Sequence, residues 1–598
     1  MTAPQASPPD SPLDWTDDGQ PRSRLFGDVY FSAENGLAES RAVFLAGCGL
    51  PDAWAGRRRF VVAELGFGTG LNIAALLDLW RRTRPDGGHL HVFSVEGYPI
   101  RAEEAARALG RWPELARVTD LLVARWPGAT RGRHRVDLPE LSATLDLGIG
   151  EAAEALSGWS GQADAWFLDG FSPALNPQMW RQAVLDLVAA RTAPGARAAT
   201  FTVAGAVRRG LATAGFAVEK RPGHGRKRER LEARWPGEGT APPTRRIAII
   251  GAGIAGAAAA RAVAALGAEP LLVEAAHPGG GASGNPAALV TPRLDAGLGE
   301  AARLFAEAFR RAVGLYAQIP GAVIAQGVLQ LAFDPRDAAR FAKIAGGEVF
   351  APDELTLLDA EAATARLGEP APPALDQRTA LVVDPAAVLA AWALDPRVAA
   401  VAQLARREDG WALLDGRGDE LARADAVILA AGVACAELAP GLPLQPVRGQ
   451  TSWAAGLAAP PAAAWGGYAV PTRDGVLFGA THDRDDAADD LRAADHDRNR
   501  ATLAAGLPGL AARLEGASLD GRAAVRAVTP DRLPLAGAVG EPGLFALTGF
   551  GSRGFSLAPL LAEHVAALAV GAPSPLTRSG ADLVDPGRFA RRARKPML

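Results

Sequence analysis

Cysteine is nearly absent from this chain: Cys48 and Cys435 are the only two among 598 residues. Two thiols so far apart exclude a disulfide framework and a Cys-rich zinc site, and they suit a reducing compartment. No resident metal is expected. Long apolar runs are missing too. None reaches the roughly 18 residues a membrane helix needs, so no membrane partner is expected. The stretch Met1–Pro12, rich in Pro, Ser and Asp, has neither the basic start nor the apolar middle of a signal peptide. Residues 1–14 are therefore expected to be a disordered tail on a cytoplasmic protein. Charge of one sign is also lacking, since 63 Lys and Arg against 66 Asp and Glu leave a formal net charge of -3. A nucleic-acid partner would have to be held by local basic patches.

What is present is enough apolar material for more than one core: 48% of the residues are hydrophobic, and the length calls for two or more domains. From Phe60 to about Arg234 short apolar runs alternate with helical stretches. Strands are expected at Phe60–Glu64, His89–Glu96, Ala143–Leu147, Ala163–Leu168 and Ala198–Phe201, with helices such as Leu71–Arg82 and Ile100–Leu109 between them. That alternation predicts an α/β domain built on a doubly wound parallel sheet of Rossmann type. Residues 236–244, rich in Pro and Gly, read as a linker between a domain over 15–235 and another over 245–598. The second opens with a strand, a turn and a helix over Ile254–Leu266, and later carries hairpin material at Gly467–Val470 and Gly475–Gly479. No internal repeat is evident.

Two glycine-rich turns of different kinds mark the domains. The first, Glu64-Leu65-Gly66-Phe67-Gly68-Thr69-Gly70, follows a buried strand that ends in an acid. Nothing in it cradles a pyrophosphate. It suits S-adenosylmethionine: Glu64 to meet the ligand's amino group, Gly66, Phe67, Gly68, Gly70 and Asn72 to pack against it, and Glu96, ending the next strand, for the ribose hydroxyls. The bland alternative is a glycine-rich turn with surface acids at strand ends. The second, Gly251-Ala252-Gly253-Ile254-Ala255-Gly256, opens a helix and is followed by Leu271-Leu272-Val273-Glu274. That is a full dinucleotide fingerprint, with Glu274 on the adenosine ribose and the pyrophosphate at the helix N-terminus. Strands ending in glycine turns at Gly432 and at Gly549–Phe555 show the chain leaving this fold and returning to it, the plan of a flavoprotein.

Two further segments carry chemistry. The stretch Asp164–Trp180 delivers Asp169 at the carboxyl end of a buried strand and then runs through Gly170, Pro173 and Pro177 as an ordered loop. A carboxylate there can orient and help deprotonate an amine; the structural alternative is a cap on the following helix. The run Arg221-Pro222-Gly223-His224-Gly225-Arg226-Lys227-Arg228 is either a solvated face or a grip on phosphates.

The second domain resembles the D-amino-acid-oxidase-like FAD oxidoreductases, which include glycine and sarcosine oxidases. The Asp164–Trp180 loop, Gly223–Glu229 and the order of the two domains resemble, over nearly the whole chain, a family of bifunctional tRNA wobble-uridine modification enzymes. The resemblance implies FAD-dependent removal of the carboxymethyl group from 5-carboxymethylaminomethyl(-2-thio)uridine 34 of tRNA, followed by S-adenosylmethionine-dependent N-methylation of the freed amine. It implies a mixed-sheet substrate domain inserted in the FAD-binding domain, and a monomer working on tRNA. By position, Arg526 matches the substrate-carboxylate arginine, Arg553 a second active-site arginine and Tyr468 an aromatic beside the substrate. Ala282, Ser283, Gly551, Ser552, Gly554 and Phe555 match residues around the flavin. One departure concerns the adenine: the chain reads Leu147-Gly148-Ile149-Gly150 where an acid often follows the glycine, and Asp146 is off register. The competing function is a fused FAD amine oxidase and N-methyltransferase acting on a small amine or amino acid.

Overall fold

The computed structural model describes residues 11–32, 35–225, 228–239, 245–393 and 395–593. The chain divides into two compact units, Met1–Thr244 with Pro573–Arg578, and Arg245–Ala572 with Ser579–Leu598.

The first unit is built on eight strands: β1 (Arg59–Leu65), β2 (His89–Glu96), β3 (Gly132–Leu138), β4 (Ala143–Ile149), β5 (Ala163–Leu168), β6 (Thr192–Thr200), β7 (Ala217–Pro222) and β8 (Glu229–Arg234). Their order is β3-β4-β2-β1-β5-β6-β8-β7. The five strands from β4 to β6 run parallel. The apolar run Phe60-Val61-Val62-Ala63 puts β1 at their centre, covered on both faces as a parallel strand requires. Helix α1 (Leu71–Thr83) follows β1 and ends on Arg81 and Arg82, cations placed at the negative end of its dipole.

The doubly wound parallel sheet expected from the sequence forms the centre, and edge strands the sequence reading did not include, β3, β7 and β8, pair antiparallel there. Charged residues such as those in Arg133-His134-Arg135 and Glu219-Lys220-Arg221 hide these strands from an apolar-run criterion. The start of β6 is hidden by Pro194 and Gly195, residues that usually interrupt strands. The tail is corrected. Leu13–Trp15 pairs with Pro21–Ser23, Leu13 is fully buried, and the Ser11 hydroxyl donates to Glu104 at 2.5 Å. Residues 1–10 lie outside the described residues.

Asp146 on β4 is fully buried, held by Arg135 through Nε and Nη2 at 2.7 Å each and by His91 Nε2 at 2.9 Å. Burial opposes its ionisation, but Arg135 and His91 outweigh burial and hold the carboxyl well below the usual range. A depressed pKa gives stability that is present above the unfolded-state value and lost as pH falls towards the folded-state one. Asp146→Ala takes away the buried carboxylate on which Arg135 and His91 converge. We predict that it lowers the unfolding free energy of the first unit by about 3–5 kcal/mol in a denaturant titration, and that it removes part of the acid sensitivity below about pH 4. An unchanged midpoint at neutral pH would contradict this account.

In the second unit a six-stranded sheet comprises β9 (Arg246–Ile250), β10 (Glu269–Glu274), β11 (Arg397–Val398), β12 (Ala426–Leu429), β13 (Leu535–Ala538) and β14 (Leu544–Thr548), in the order β11-β10-β9-β12-β14-β13. All neighbours are parallel except β13, which returns antiparallel beside β14. Helix α2 (Ile254–Ala265) leaves β9, and helix α3 (Gly554–Val570) leaves β14. Between them the chain builds a ten-stranded mixed sheet from strands at Ala288–Val290, Val323–Leu331, Ala374–Val383, Gln445–Ala455 and Asp520–Val528, among others. It includes the expected hairpin, Tyr468–Pro471 paired with Gly475–Gly479. α3 is almost wholly buried. Its Glu563 is tolerated there because Arg311 closes on it at 2.6 Å and Arg261 also reaches it. Among the described residues no helix is long and apolar enough to cross a membrane.

Candidate active sites

At the carboxyl end of β1 the chain turns through Gly66, Gly68 and Gly70 at φ of 84°, 54° and 78°, a region only glycine adopts cheaply. A cavity of about 920 Å³ opens over this turn, walled by Phe67, Gly68, Asn72, Glu96 and Asp169. Glu96, ending β2, accepts from the backbone N–H of Gly68 at 2.7 Å and of Tyr98 at 2.8 Å. Asn72, in the first turn of α1, donates to Asp169 Oδ2 at 2.7 Å and to Glu64 Oε1 at 3.2 Å, while Ser94 donates to Glu64 Oε2 at 2.6 Å. Burial pushes the Glu64 carboxyl well above the usual range, and the charges of Asp169 and Glu96 add to it against the hydrogen bonds from Ser94 and Asn72. Burial raises Glu96 too, opposed by the N–H groups of Tyr98, Gly68 and Gly97. Two carboxylates on one wall, Glu96 and Asp169, disfavour a pyrophosphate and favour a cation. The sulfonium and ammonium groups of S-adenosylmethionine meet that demand.

Two expected ligand contacts move back from this wall. Glu64 is fully buried beneath Asn72, so Asn72 and Asp169 take the place facing the ligand. Gly70 caps α1, and a Cβ there would lie 3.2 Å from Trp126. Around the adenine departure, the residues just past β4, Gly150, Glu151 and Ala152, reach the cavity, and the fully buried Asp146 does not.

No periodic pattern marks the segment that closes the cavity. Phe26, Asp28, Tyr30 and Glu39 line it. Asp28 accepts from Ser172 N at 3.2 Å, and the Phe171 ring lies 4.9 Å from Phe26 and 5.2 Å from Tyr30. These interactions tie the loop after Asp169 in place, and Trp180 Nε1 adds a bond to Phe171 O at 3.1 Å. The one signal that could have found it is the aromatic cluster Phe26-x-x-x-Tyr30-Phe31. One cation of the basic run and its two flanking cations are neutralised: Arg221 pairs with Glu219 at 2.6 Å, Lys220 with Glu229 at 2.7 Å and Arg230 with Glu232 at 2.6 Å. His224 and Gly225 do reach the cavity, and Arg226 and Lys227 lie outside the described residues.

The second unit repeats the carboxylate device on a different turn. Glu274, ending β10, accepts from Ala252 N at 2.6 Å and from Ala276 N at 3.1 Å. A cavity of about 1010 Å³ runs from this turn past Gly253, Ile254, Ala255, Ala282 and Ser283 to Gly551–Phe555, Tyr468 and Arg526. Ser283 Oγ accepts from Ile254 N at 3.0 Å, so its hydroxyl stands at the N-terminus of α2. A Cβ on Gly253 would lie 3.1 Å from that hydroxyl, and one on Gly251 would lie 2.7 Å from Ala430 O. The bare backbone there is the cradle a pyrophosphate requires. Ala252 and Gly256 are set behind the wall: Ala252 gives its N–H to Glu274, and a Cβ on Gly256 would collide with Gly251 O.

At the far end the charges reverse. Arg526 lies on the strand Asp520–Val528, and its guanidinium rests over Gly449, where any Cβ would collide with it. Its nearest protein acceptor is Thr481 O at 3.5 Å. Burial lowers its pKa, with Tyr468 and Asp483 opposing. Burial raises the Tyr468 hydroxyl, and Arg526 pulls it back, so the two side chains share the pocket end. Arg553 donates to Pro292 O at 3.2 Å, and burial with the neighbouring Arg293 lowers its pKa to about 10. Two such cations facing a cavity are arranged for a carboxylate ligand.

Residues 246–568 match the model of FAD dependent oxidoreductases, and residues 113–236 match an S-adenosyl-L-methionine-dependent methyltransferase model. A curated relative from Caulobacter sp. (strain K31), the "tRNA 5-methylaminomethyl-2-thiouridine biosynthesis bifunctional protein MnmC", is 59% identical over 98% of this chain and 99% of its own. The protein of that name from Caulobacter vibrioides is 59% identical over 97% and 98%, and that from Maricaulis maris 44% over 97% and 96%. The chain belongs to that family. Its cofactors are FAD and S-adenosylmethionine, and each of the two cavities suits one of them. Gly256→Ala tests the second: the collision with Gly251 O forces α2 away from β9, and the protein is expected to purify without bound flavin. Its absorbance near 450 nm should be lost while S-adenosylmethionine binding by calorimetry stays unchanged; retained flavin would contradict the packing role.

Proposed function

We propose that this protein modifies the wobble uridine of tRNA in two steps, removing the carboxymethyl group of 5-carboxymethylaminomethyl(-2-thio)uridine 34 and then methylating the amine that remains. The observation that carries this reading is Arg526, a guanidinium with no carboxylate partner among the described residues, set beside Tyr468 at the end of the flavin cavity. A carboxymethylamine is an N-alkylated glycine, and Arg526 offers its carboxylate a bidentate seat. Arg553 supplies a second cation on the same wall. Bound FAD supplies the two-electron acceptor for the carbon–nitrogen bond beside that carboxylate. Water then adds to the imine carbon, and glyoxylate leaves the amine behind.

At the other site S-adenosylmethionine supplies the methyl group. Asp169 orients the amine and takes up its proton. Asn72 Nδ2 holds Asp169 Oδ2 at 2.7 Å and Gly170 N holds Oδ1 at 2.8 Å, so the carboxylate is fixed before the amine arrives. We read the protein as a monomer acting in the cytoplasm, where tRNA is met. The test is a nucleoside mass profile. Purified protein and tRNA carrying the carboxymethylaminomethyl group should yield aminomethyl nucleoside alone, and methylaminomethyl nucleoside once S-adenosylmethionine is added. Unchanged nucleosides together with oxidation of free glycine or sarcosine would overturn this reading in favour of a small-amine enzyme.

A further inference from the structure

Next to the flavin cavity lies a second cavity of about 560 Å³, sharing with it Arg293 and the Gly549–Arg553 turn. Its wall carries Arg293, His482, Arg484, Arg532 and Arg553, and no Asp or Glu. Of the acids adjacent in sequence, Asp485 does not line the cavity and two others are committed elsewhere. Asp483 is taken by Arg498 at 3.0 Å and faces Arg448 at 3.8 Å, while Asp531 is taken by Arg588 at 2.9 Å and Arg592 at 2.6 Å. None of the four lining arginines has an ion-pair partner among the described residues. Arg293 Nη1 reaches only Arg532 O at 3.4 Å, and Arg553 Nη1 only Pro292 O at 3.2 Å. Burial, then the charges of Arg526, Arg484 and Arg532, hold the His482 ring below the ordinary histidine value. Arg532 sits at φ 58°, a left-handed conformation unfavourable for a residue other than glycine.

Like charges gathered round one hollow repel one another, and a strained backbone adds to the cost. An anion seated among them relieves the repulsion. We propose that this cavity binds a backbone phosphate of the RNA strand whose nucleoside enters the flavin cavity, anchoring the strand through Arg484 and Arg532. The proposal rests on the reading of the substrate as tRNA and adds a site to it. Because the two cavities share the Gly549–Arg553 turn, a phosphate seated here adjoins the flavin cavity. Phosphate contacts of this kind fix register without reading sequence.

The test uses the full-length flavoprotein and an unmodified anticodon stem-loop RNA, with flavin fluorescence as the readout, since that signal reports the oxidase cavity alone. The wild type should respond with a dissociation constant that rises steeply with salt. Arg484→Gln/Arg532→Gln should bind roughly 10-fold or more weakly at moderate salt, and the log–log salt slope should flatten by about 0.7 for each phosphate no longer neutralised. Arg484→Lys/Arg532→Lys should recover most of the affinity, which a merely structural role would not predict. Flavin content and absorbance should be unchanged in all three proteins. Wild-type affinity in the Gln double variant, equal weakening in the Lys variant, or no response of the wild type to RNA would overturn the proposal. Normal RNA binding that fails only in the Gln variant, by a protein that leaves carboxymethylaminomethyl tRNA intact, would support this site while sinking the oxidation reading.

Discussion

Arg526→Ala is expected to oxidise carboxymethylaminomethyl tRNA about 10- to 150-fold less efficiently, the equivalent of about 1.5–3 kcal/mol for a charge-assisted hydrogen bond. Methylation of aminomethyl tRNA should proceed at the wild-type rate. The damage should fall mainly on KM, because the carboxylate is held equally before and during bond breaking. Arg526→Lys should recover only part of it, since an ammonium cannot offer two parallel N–H bonds. The space beside Gly449 makes the alanine variant easy to fold: the guanidinium occupies that space and its removal leaves only an enlarged pocket. Steady-state rates with the two tRNA substrates check this. Equal damage to both reactions in a folded protein would show that Arg526 does not belong to the oxidase site.

Asp169→Ala is expected to give the opposite pattern, with oxidation intact and methylation kcat down by about 10²- to 10⁴-fold, the usual range for a positioned proton acceptor. Asp169→Asn separates its two duties. It keeps the volume and an oxygen for Gly170 N, but it has no charge to attract the ligand's cationic groups and no basic oxygen for the proton. Its Kd for S-adenosylmethionine should rise modestly while kcat falls nearly as far as in the alanine variant. A raised Kd with unchanged kcat would make Asp169 a ligand-binding group and nothing more. Glu64 beneath it is not interchangeable, because its burial keeps it off the cavity wall.

Both cores were legible where apolar runs are bounded by glycine. His89–Glu96 and Ala163–Leu168 form as read, and each glycine turn sits where a strand becomes a helix. Edge strands were not legible, because charged residues interrupt their apolar pattern: Glu219 and Lys220 serve ion pairs at the surface, while the side chains of Arg133 and Arg135 are buried, Arg135 on Asp146. The side chains proposed to act divide similarly. Asp169, Tyr468, Arg526 and Arg553 all reach their cavities, since each follows from a strand end or a matched motif. Depth was invisible: a one-dimensional pattern places Glu64 and Asn72 near one ligand but does not say which stands behind the other. Pairings distant along the chain, such as Asp28 with Ser172, and the gathering of Arg293, Arg484 and Arg532, exist only once the chain is folded.

The carboxylates that end β2 and β10 each hold a backbone N–H of the neighbouring glycine turn, through Gly68 in one unit and Ala252 in the other. A carboxylate oxygen can accept a second hydrogen bond, so in the proposed binding mode the group that steadies the turn is the same group offered to a ribose. The turn is thus set in its working shape before any nucleotide arrives, and binding spends little ordering it. It also means that sugar recognition cannot be altered by replacing either acid without loosening the loop beneath it. A ligand lacking one ribose hydroxyl would lose a hydrogen bond alone, whereas a protein lacking Glu96 or Glu274 would lose the hydrogen bond and the shape of the pocket together.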